Sequence, residues 1–153
     1  MPQHSERRFL PYTPEQLFDL VADVGSYAEF LPWVVATRVK SSSDAAMIAD
    51  IIVGFSMFRE KFTSRVVLER PLHIHIDYLN GPLKFLYNDW RFKAVEGGSE
   101  VHFHVDFAFR QPLLNTLAGS YFEEAFRRMV SAFEKRAAIV YAGNSSSSAQ
   151  RTA

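Results

Sequence analysis

PLLNTLAGSYFEEAFRRMVSAFEKRAAIVY, residues 112–141, is the stretch on which the fold turns. Its apolar residues come in pairs four apart, from Leu113/Leu114 through Leu117/Ala118, Tyr121/Phe122 and Ala125/Phe126 to Met129/Val130, then continue as Phe133, Ala137 and Val140/Tyr141. That spacing predicts a helix. Pro112 suits its first turn, Gly143 and Asn144 suit its end, and Glu123/Arg127 and Glu124/Arg128 are i,i+4 pairs in the favourable order. One helix of about 30 residues is roughly 45 Å long at 1.5 Å per residue, more than packing alone asks for. A repeat of four drifts about 40° per step around the helix, so its two halves should meet different surfaces. Ala118-Gly119-Ser120 is the expected place for a bend or for close approach of a ligand.

Upstream of this helix, His4 to Leu10 predicts a first strand. Thr13-Pro14-Glu15-Gln16 has the form of a capping box opening a short helix, and Asp23 is expected to cap a second one ending before Pro32. Six strand patterns follow, beginning at Val34, Ala45, Phe58, His73, Leu83 and about Glu100, with turn chemistry at 41–44, 80–82 and 96–99. In the last strand, Val101, Phe103, Val105, Phe107 and Phe109 alternate with His102, His104, Asp106, Ala108 and Arg110. One sheet face is therefore apolar and the other wet. Short connections predict an antiparallel meander, and only the final helix is large enough to cover its apolar face. The fold class is α+β, with one domain over residues 1–143 and a polar, disordered tail over 144–153.

Composition narrows the function. Lys+Arg and Asp+Glu are equal at 17 each, so no global electrostatic grip on nucleic acid or anionic membrane is encoded. With no cysteine there is no thiolate nucleophile or thiolate metal site. The N-terminus lacks the apolar core of a signal peptide and no run is long enough to span a bilayer, so the expectation is a soluble cytoplasmic protein, peripheral at most to the inner face of the membrane. Fourteen Phe, six Tyr and two Trp make either a solid aromatic core or the lining of an apolar cavity.

Candidate chemistry is sparse. No nucleophile elbow or phosphate-binding glycine loop is present, so no catalytic residue is assigned. His73-x-His75 and His102-x-His104 each share a strand face, but on the wet side. Their strands are separated by the 83–95 strand, about 10 Å at ~4.8 Å per step, too far for one tetrahedral ion. They are taken as exposed strand histidines, with no metal and no resident cofactor. Among inward positions, Glu60, Ser64 and Asn88 are polar and need partners or a ligand. Phe55, Met57 and Phe58 make the hairpin tip at 54–58 unusually apolar, and Leu31 and Trp33 form a second apolar corner. Both are candidate gates or membrane contacts.

Two stretches carry a resemblance. Asp23-Val24-Gly25-Ser26-Tyr27-Ala28-Glu29-Phe30-Leu31-Pro32-Trp33, and Gly81-Pro82-Leu83 followed by Leu86 and Trp90-Arg91-Phe92, resemble the signature blocks of the coenzyme-Q-binding START-domain family. Val34 and Leu83 depart from residues common there, Cys and Phe. The resemblance implies a START-like, helix-grip fold of about seven strands around the long helix. It also implies a non-enzymatic domain that holds ubiquinone or another polyprenyl lipid in a tunnel and supports respiratory electron transport. On this reading the tail runs along Phe62, Leu86, Trp90, Val105, Phe107 and the helix face at Gly119 and Phe122. Asn88, Tyr78 and Tyr121 would donate to the head group, with Glu60 doing so if protonated or through water. Bacterial relatives described as ribosome-association toxins imply a second possibility, a protein that binds ribosomes and modulates translation. The wider superfamily's polyketide cyclases imply a third, with Glu60 as the best available acid or base.

Overall fold

The computed structural model describes residues 3–55 and 57–142, with backbone alone at 55 and 117–120. The expected tail, residues 144–153, lies outside the described residues. Seven strands form one antiparallel sheet: β1 (Gln3–Leu10), β2 (Val34–Ser42), β3 (Ala46–Phe55), β4 (Phe58–Glu69), β5 (His73–Asn80), β6 (Leu83–Val95) and β7 (Gly98–Phe109). Their spatial order is β1-β7-β6-β5-β4-β3-β2. The six later strands are the expected meander, and β1 closes the far side by pairing with β7, from Gln3↔Asp106 to Leu10↔Ser99. Register shifts within β2–β3, β4–β5 and β6–β7 bend the strands, so the sheet curls around what it covers. The β5–β6 turn rests on Gly81, whose φ of +150° suits glycine and whose missing Cβ would stand 2.9 Å from the Lys61 carbonyl oxygen.

Helix α1 (Pro14–Ala22) begins with the capping box: the Gln16 amide donates to Thr13 Oγ1 at 3.1 Å, and the Thr13 amide to Gln16 Oε1 at 3.0 Å. The next segment, Val24–Glu29, is a 3₁₀ helix, and here the expected cap is corrected. The Asp23 side chain makes no capping bond; its backbone carbonyl accepts from the Ser26 amide instead.

The expected single long helix is also corrected. It is two helices, α2 (Pro112–Arg127) and α3 (Met129–Val140), with Arg128 between them at φ −96°, ψ 0°. The break falls at Arg128 and not at 118–120, which stays helical in its backbone. There the Arg128 amide is shared between the carbonyls of Glu124 (3.3 Å) and Ala125 (3.2 Å), so the regular i→i−4 ladder tightens for one turn.

The two helices do meet different surfaces. Helix α2 lies over β7 and β1, while α3 packs against α1 and is tied down by Tyr141, whose hydroxyl donates to the Gln16 carbonyl at 2.8 Å. Arg8 of β1 reaches Ser131 Oγ at 2.8 Å, and Arg136 pairs with Glu29. Phe133, buried, rivets α3 to the sheet, with its ring 5.1 Å from those of Trp90 and Phe30 and 5.4 Å from Tyr27. Truncating such a side chain costs about 3–5 kcal/mol. The exposed Glu123–Arg127 and Glu124–Arg128 pairs exist as expected and contribute only tenths of that.

Candidate functional site

Alternation along the strands turns one residue in two toward the helices. From β3 these are Ala49, Ile51 and Val53; from β4, Phe62, Ser64 and Val66; from β6, Leu86, Asn88 and Trp90; from β7, Val105, Phe107 and Phe109. The helical period supplies a roof of Phe122, Phe126, Met129 and Phe133. Tyr27, Leu31 and Trp33 close one side. The space enclosed is a cavity of about 130 Å³. Aromatic clusters fill either side of it, with Trp90, Phe103 and Phe133 on one and Phe107, Phe109, Phe122 and Phe126 on the other. The core is thus solid at its flanks and hollow between them.

The wall is almost wholly apolar. Its hydrogen-bonding side chains are Ser64, Asn88, the phenol of Tyr27 and the indoles of Trp33 and Trp90. No described carboxylate, imidazole, amine or guanidinium lines it. Burial, followed by the charge of Asp23, pushes the Tyr27 phenol's pKa far up, and its O–H donates to the Val21 carbonyl, so this group is neutral and engaged. Asn88 donates one amide hydrogen to the His104 carbonyl at 3.1 Å and keeps its second N–H. Ser64, 4% exposed, makes no side-chain hydrogen bond with another described residue. The site therefore offers an apolar guest the Ser64 hydroxyl and the second Asn88 N–H, with no acid–base pair among the described residues. Its volume is near the ~150 Å³ that accepts a benzene ring, so it fits one ring or a short branched chain as it stands.

Of the residues singled out from sequence, Phe62, Leu86, Asn88, Trp90, Val105, Phe107 and Phe122 line this cavity. Others do not. Tyr78 is absent from the wall; its hydroxyl accepts from the Leu83 amide at 2.9 Å, bracing the β5–β6 turn. Tyr121 is 41% exposed and is absent from the wall. Glu60 sits opposite Val53 near the end of the β3–β4 hairpin and is absent from the wall. Leu31 and Trp33, candidates for a gate or membrane contact, are buried and form part of the wall. The Met57 side chain is 92% exposed and Phe58 43%, so the hairpin end does present apolar surface. Gly119 and the side chain of Phe55 lie outside the described residues. Sequence reasoning missed Ile51, Val53, Phe126, Met129 and Phe133. Extending period two from Ala49 and the helical period from Phe122 would have found them.

The outer face of the sheet carries two further features. Arg38, Lys40, Arg59, Lys61 and Arg65 are all exposed on β2 and β4. Asp50, which faces them from β3, is buried, accepts from Thr63 at 2.6 Å and pairs with Lys40 at 3.6 Å. The Thr63 hydrogen bond, then Lys40 and Lys61, outweigh burial and hold the Asp50 carboxyl below its ordinary pKa. The second feature is a set of histidines on β5 and β7: His73 and His75 beside Asp89, His102 against Glu100 at 2.7 Å, and His104 against Ser5 at 2.5 Å.

A curved seven-stranded antiparallel sheet holding a helix pair over an apolar cavity defines the START-like, helix-grip class, the fold of solved START-superfamily proteins. The chain belongs to the polyketide cyclase/dehydrase and lipid transport family, whose model matches residues 10–134. It is 37% identical over 140 residues to the ribosome association toxin RatA of Rickettsia prowazekii, covering 88% of this chain and 94% of that protein. It is 34% identical over 145 residues to the mitochondrial coenzyme Q-binding protein COQ10 homolog B of Xenopus laevis, covering 91% of this chain and 59% of that one. Among solved structures, the 18 kDa protein CC1736 of Caulobacter crescentus is 35% identical, with a TM-score of 0.72 and coverage of 93% and 99%.

Proposed function

We propose that the domain binds ubiquinone or a related polyprenyl lipid in the cavity and carries or buffers it, unchanged, for respiratory electron transfer. The observation that carries this reading is the wall itself: an apolar space offering the Ser64 hydroxyl and the second Asn88 N–H, with no carboxylate, imidazole, amine or guanidinium among the described residues that line it. A quinone ring presents carbonyl and methoxy acceptors to such donors. Each isoprene unit, five carbons, contributes about 4 kcal/mol of burial at ~0.8 kcal/mol per methylene-sized group. The cavity takes a ring or a first unit, and a longer tail would extend beyond it. The exposed Met57 and Phe58 would touch the bilayer surface while ligand moves in or out. No helix among the described residues is long and apolar enough to cross a membrane.

Both tryptophans of the chain, Trp33 and Trp90, border the cavity, so their fluorescence reports on its contents. Titration with a short-chain ubiquinone should quench it saturably with one site per chain. Quenching that rises linearly, as for collision in solution, would defeat the reading.

The basic patch supports a second reading, ribosome association, since exposed cations on one sheet face suit an RNA backbone. Under it, charge reversal at Arg38, Lys61 and Arg65 abolishes co-sedimentation with ribosomes at low salt. Co-sedimentation unchanged by that reversal would remove the patch from the account.

A further inference from the structure

On the outer face, away from the cavity, three side chains of β5 and β6 converge. His73 and His75 share a face of β5, and the register sets Asp89 of β6 directly opposite His75. Asp89 Oδ1 lies 2.6 Å from His73 Nε2 and 3.1 Å from His75 Nδ1, and one ligand atom from each residue falls within 4.8 Å of the others. The distance between the two histidine pairs, which argued against a metal from sequence, is not the relevant one: the strand between them supplies the third ligand.

The surroundings orient all three groups. The remaining nitrogen of each ring faces a carboxylate, His73 Nδ1 at 2.6 Å from Glu69 Oε1 and His75 Nε2 at 3.1 Å from Asp77 Oδ1. Arg91 Nε stands 3.1 Å from Asp89 Oδ2. A histidine whose far N–H is held by a carboxylate is the usual arrangement around a protein-bound metal, because it fixes the ring and its tautomer. A neutral imidazole has one N–H. If Glu69 and Asp77 take those hydrogens, both inner nitrogens aim lone pairs at Asp89 Oδ1, and three acceptors converge with nothing between them. A cation removes that clash. Three carboxylates against one guanidinium leave two negative charges, the charge a divalent ion balances. Tetrahedral ligand atoms at 2.0–2.1 Å from zinc stand about 3.4 Å apart, which these atoms reach by small movements. The His73 and His75 side chains are 17% and 28% exposed, so solvent reaches the cluster and water can complete the coordination.

We propose that His73, His75 and Asp89 form a binding site for a first-row divalent cation, zinc by ligand type, that pins β5 to β6 on the face opposite the cavity. The site is independent of the lipid reading and of the basic patch.

The test uses the untagged full chain, stripped with a chelator and titrated with Zn²⁺ by calorimetry, then with Co²⁺ as an absorbing probe. The expected result is one equivalent of Zn²⁺ and Co²⁺ bands of tetrahedral or five-coordinate intensity. His75→Ala should weaken binding by about 100-fold or more, and Glu69→Gln by about 10-fold. His102→Ala with His104→Ala should leave it unchanged. His75 is only half-buried, and far-UV circular dichroism checks that each variant is folded; if His75→Ala is not, His75→Gln replaces it. No saturable binding below millimolar Zn²⁺, binding that survives loss of His75, or binding lost with His102 and His104 would each overturn the proposal.

Discussion

Replacing Ala49 by Met should fill part of the cavity, stabilise the empty protein and expel the ligand. Ala49 is fully buried in the cavity wall, and its β4 neighbour in register is Ser64. An unfilled volume of about 130 Å³ corresponds to roughly 3 kcal/mol of packing not realised, at about 24 cal/mol per Å³. Methionine adds about three methylene-sized groups, worth ~2.4 kcal/mol of burial, and is flexible enough to settle into an irregular space. Fixing its side chain costs about 1.5 kcal/mol, so the net gain is about 1 kcal/mol. For a chain of this size that raises Tm by roughly 2–4 °C. The assay is thermal unfolding of delipidated protein, paired with quinone titration of the same variant, whose affinity should fall at least tenfold. Two results would refute the reasoning. A Tm lowered by more than about 5 °C would mean that the side chain meets packed atoms and that no such space exists. Undiminished quinone affinity in a stabilised variant would mean that the ligand binds elsewhere.

Gly81→Ala should destabilise the fold by about 1–3 kcal/mol, since its φ of +150° suits glycine and an added Cβ would stand 2.9 Å from both the Lys61 carbonyl oxygen and the Tyr78 hydroxyl; denaturant unfolding measures it, and a change below about 0.5 kcal/mol would contradict the turn's geometry. Met57→Asp should reduce co-flotation with liposomes severalfold while leaving Tm within about 1 °C, because the side chain is 92% exposed. Unaltered flotation would remove the hairpin from membrane contact.

Most of the fold was legible because it obeys two periods. Strict alternation from Val101 to Phe109 and the paired apolar positions of the last helices leave few ways to bury both faces. The break at Arg128 was not legible: no proline or glycine stands there, and the Glu124–Arg128 pair favours an unbroken helix. Leu31 and Trp33 were recognisably apolar, but whether a corner faces in or out depends on the 3₁₀ turn before it. The site was half legible for a similar reason. Alternation identifies inward residues, yet Glu60 and Phe62 share a face of β4, and only the position of the roof decides that Phe62 lines the cavity. The basic patch needs the order β2-β3-β4 and the β2 bulges to bring Arg38 and Lys40 alongside Lys61 and Arg65. Asp89 follows the outward pattern of its strand, but its meeting with His73 and His75 is a matter of register, which no single strand encodes.

Quinone binding is tested most directly by organic extraction of the full chain, purified without detergent from a quinone-producing host, followed by mass spectrometry of the extract. The expected result is ubiquinone or another polyprenyl lipid at close to one molecule per chain, and its loss from the Ala49→Met variant. An extract holding no such lipid, from protein whose tryptophan fluorescence also ignores added short-chain ubiquinone, would contradict it.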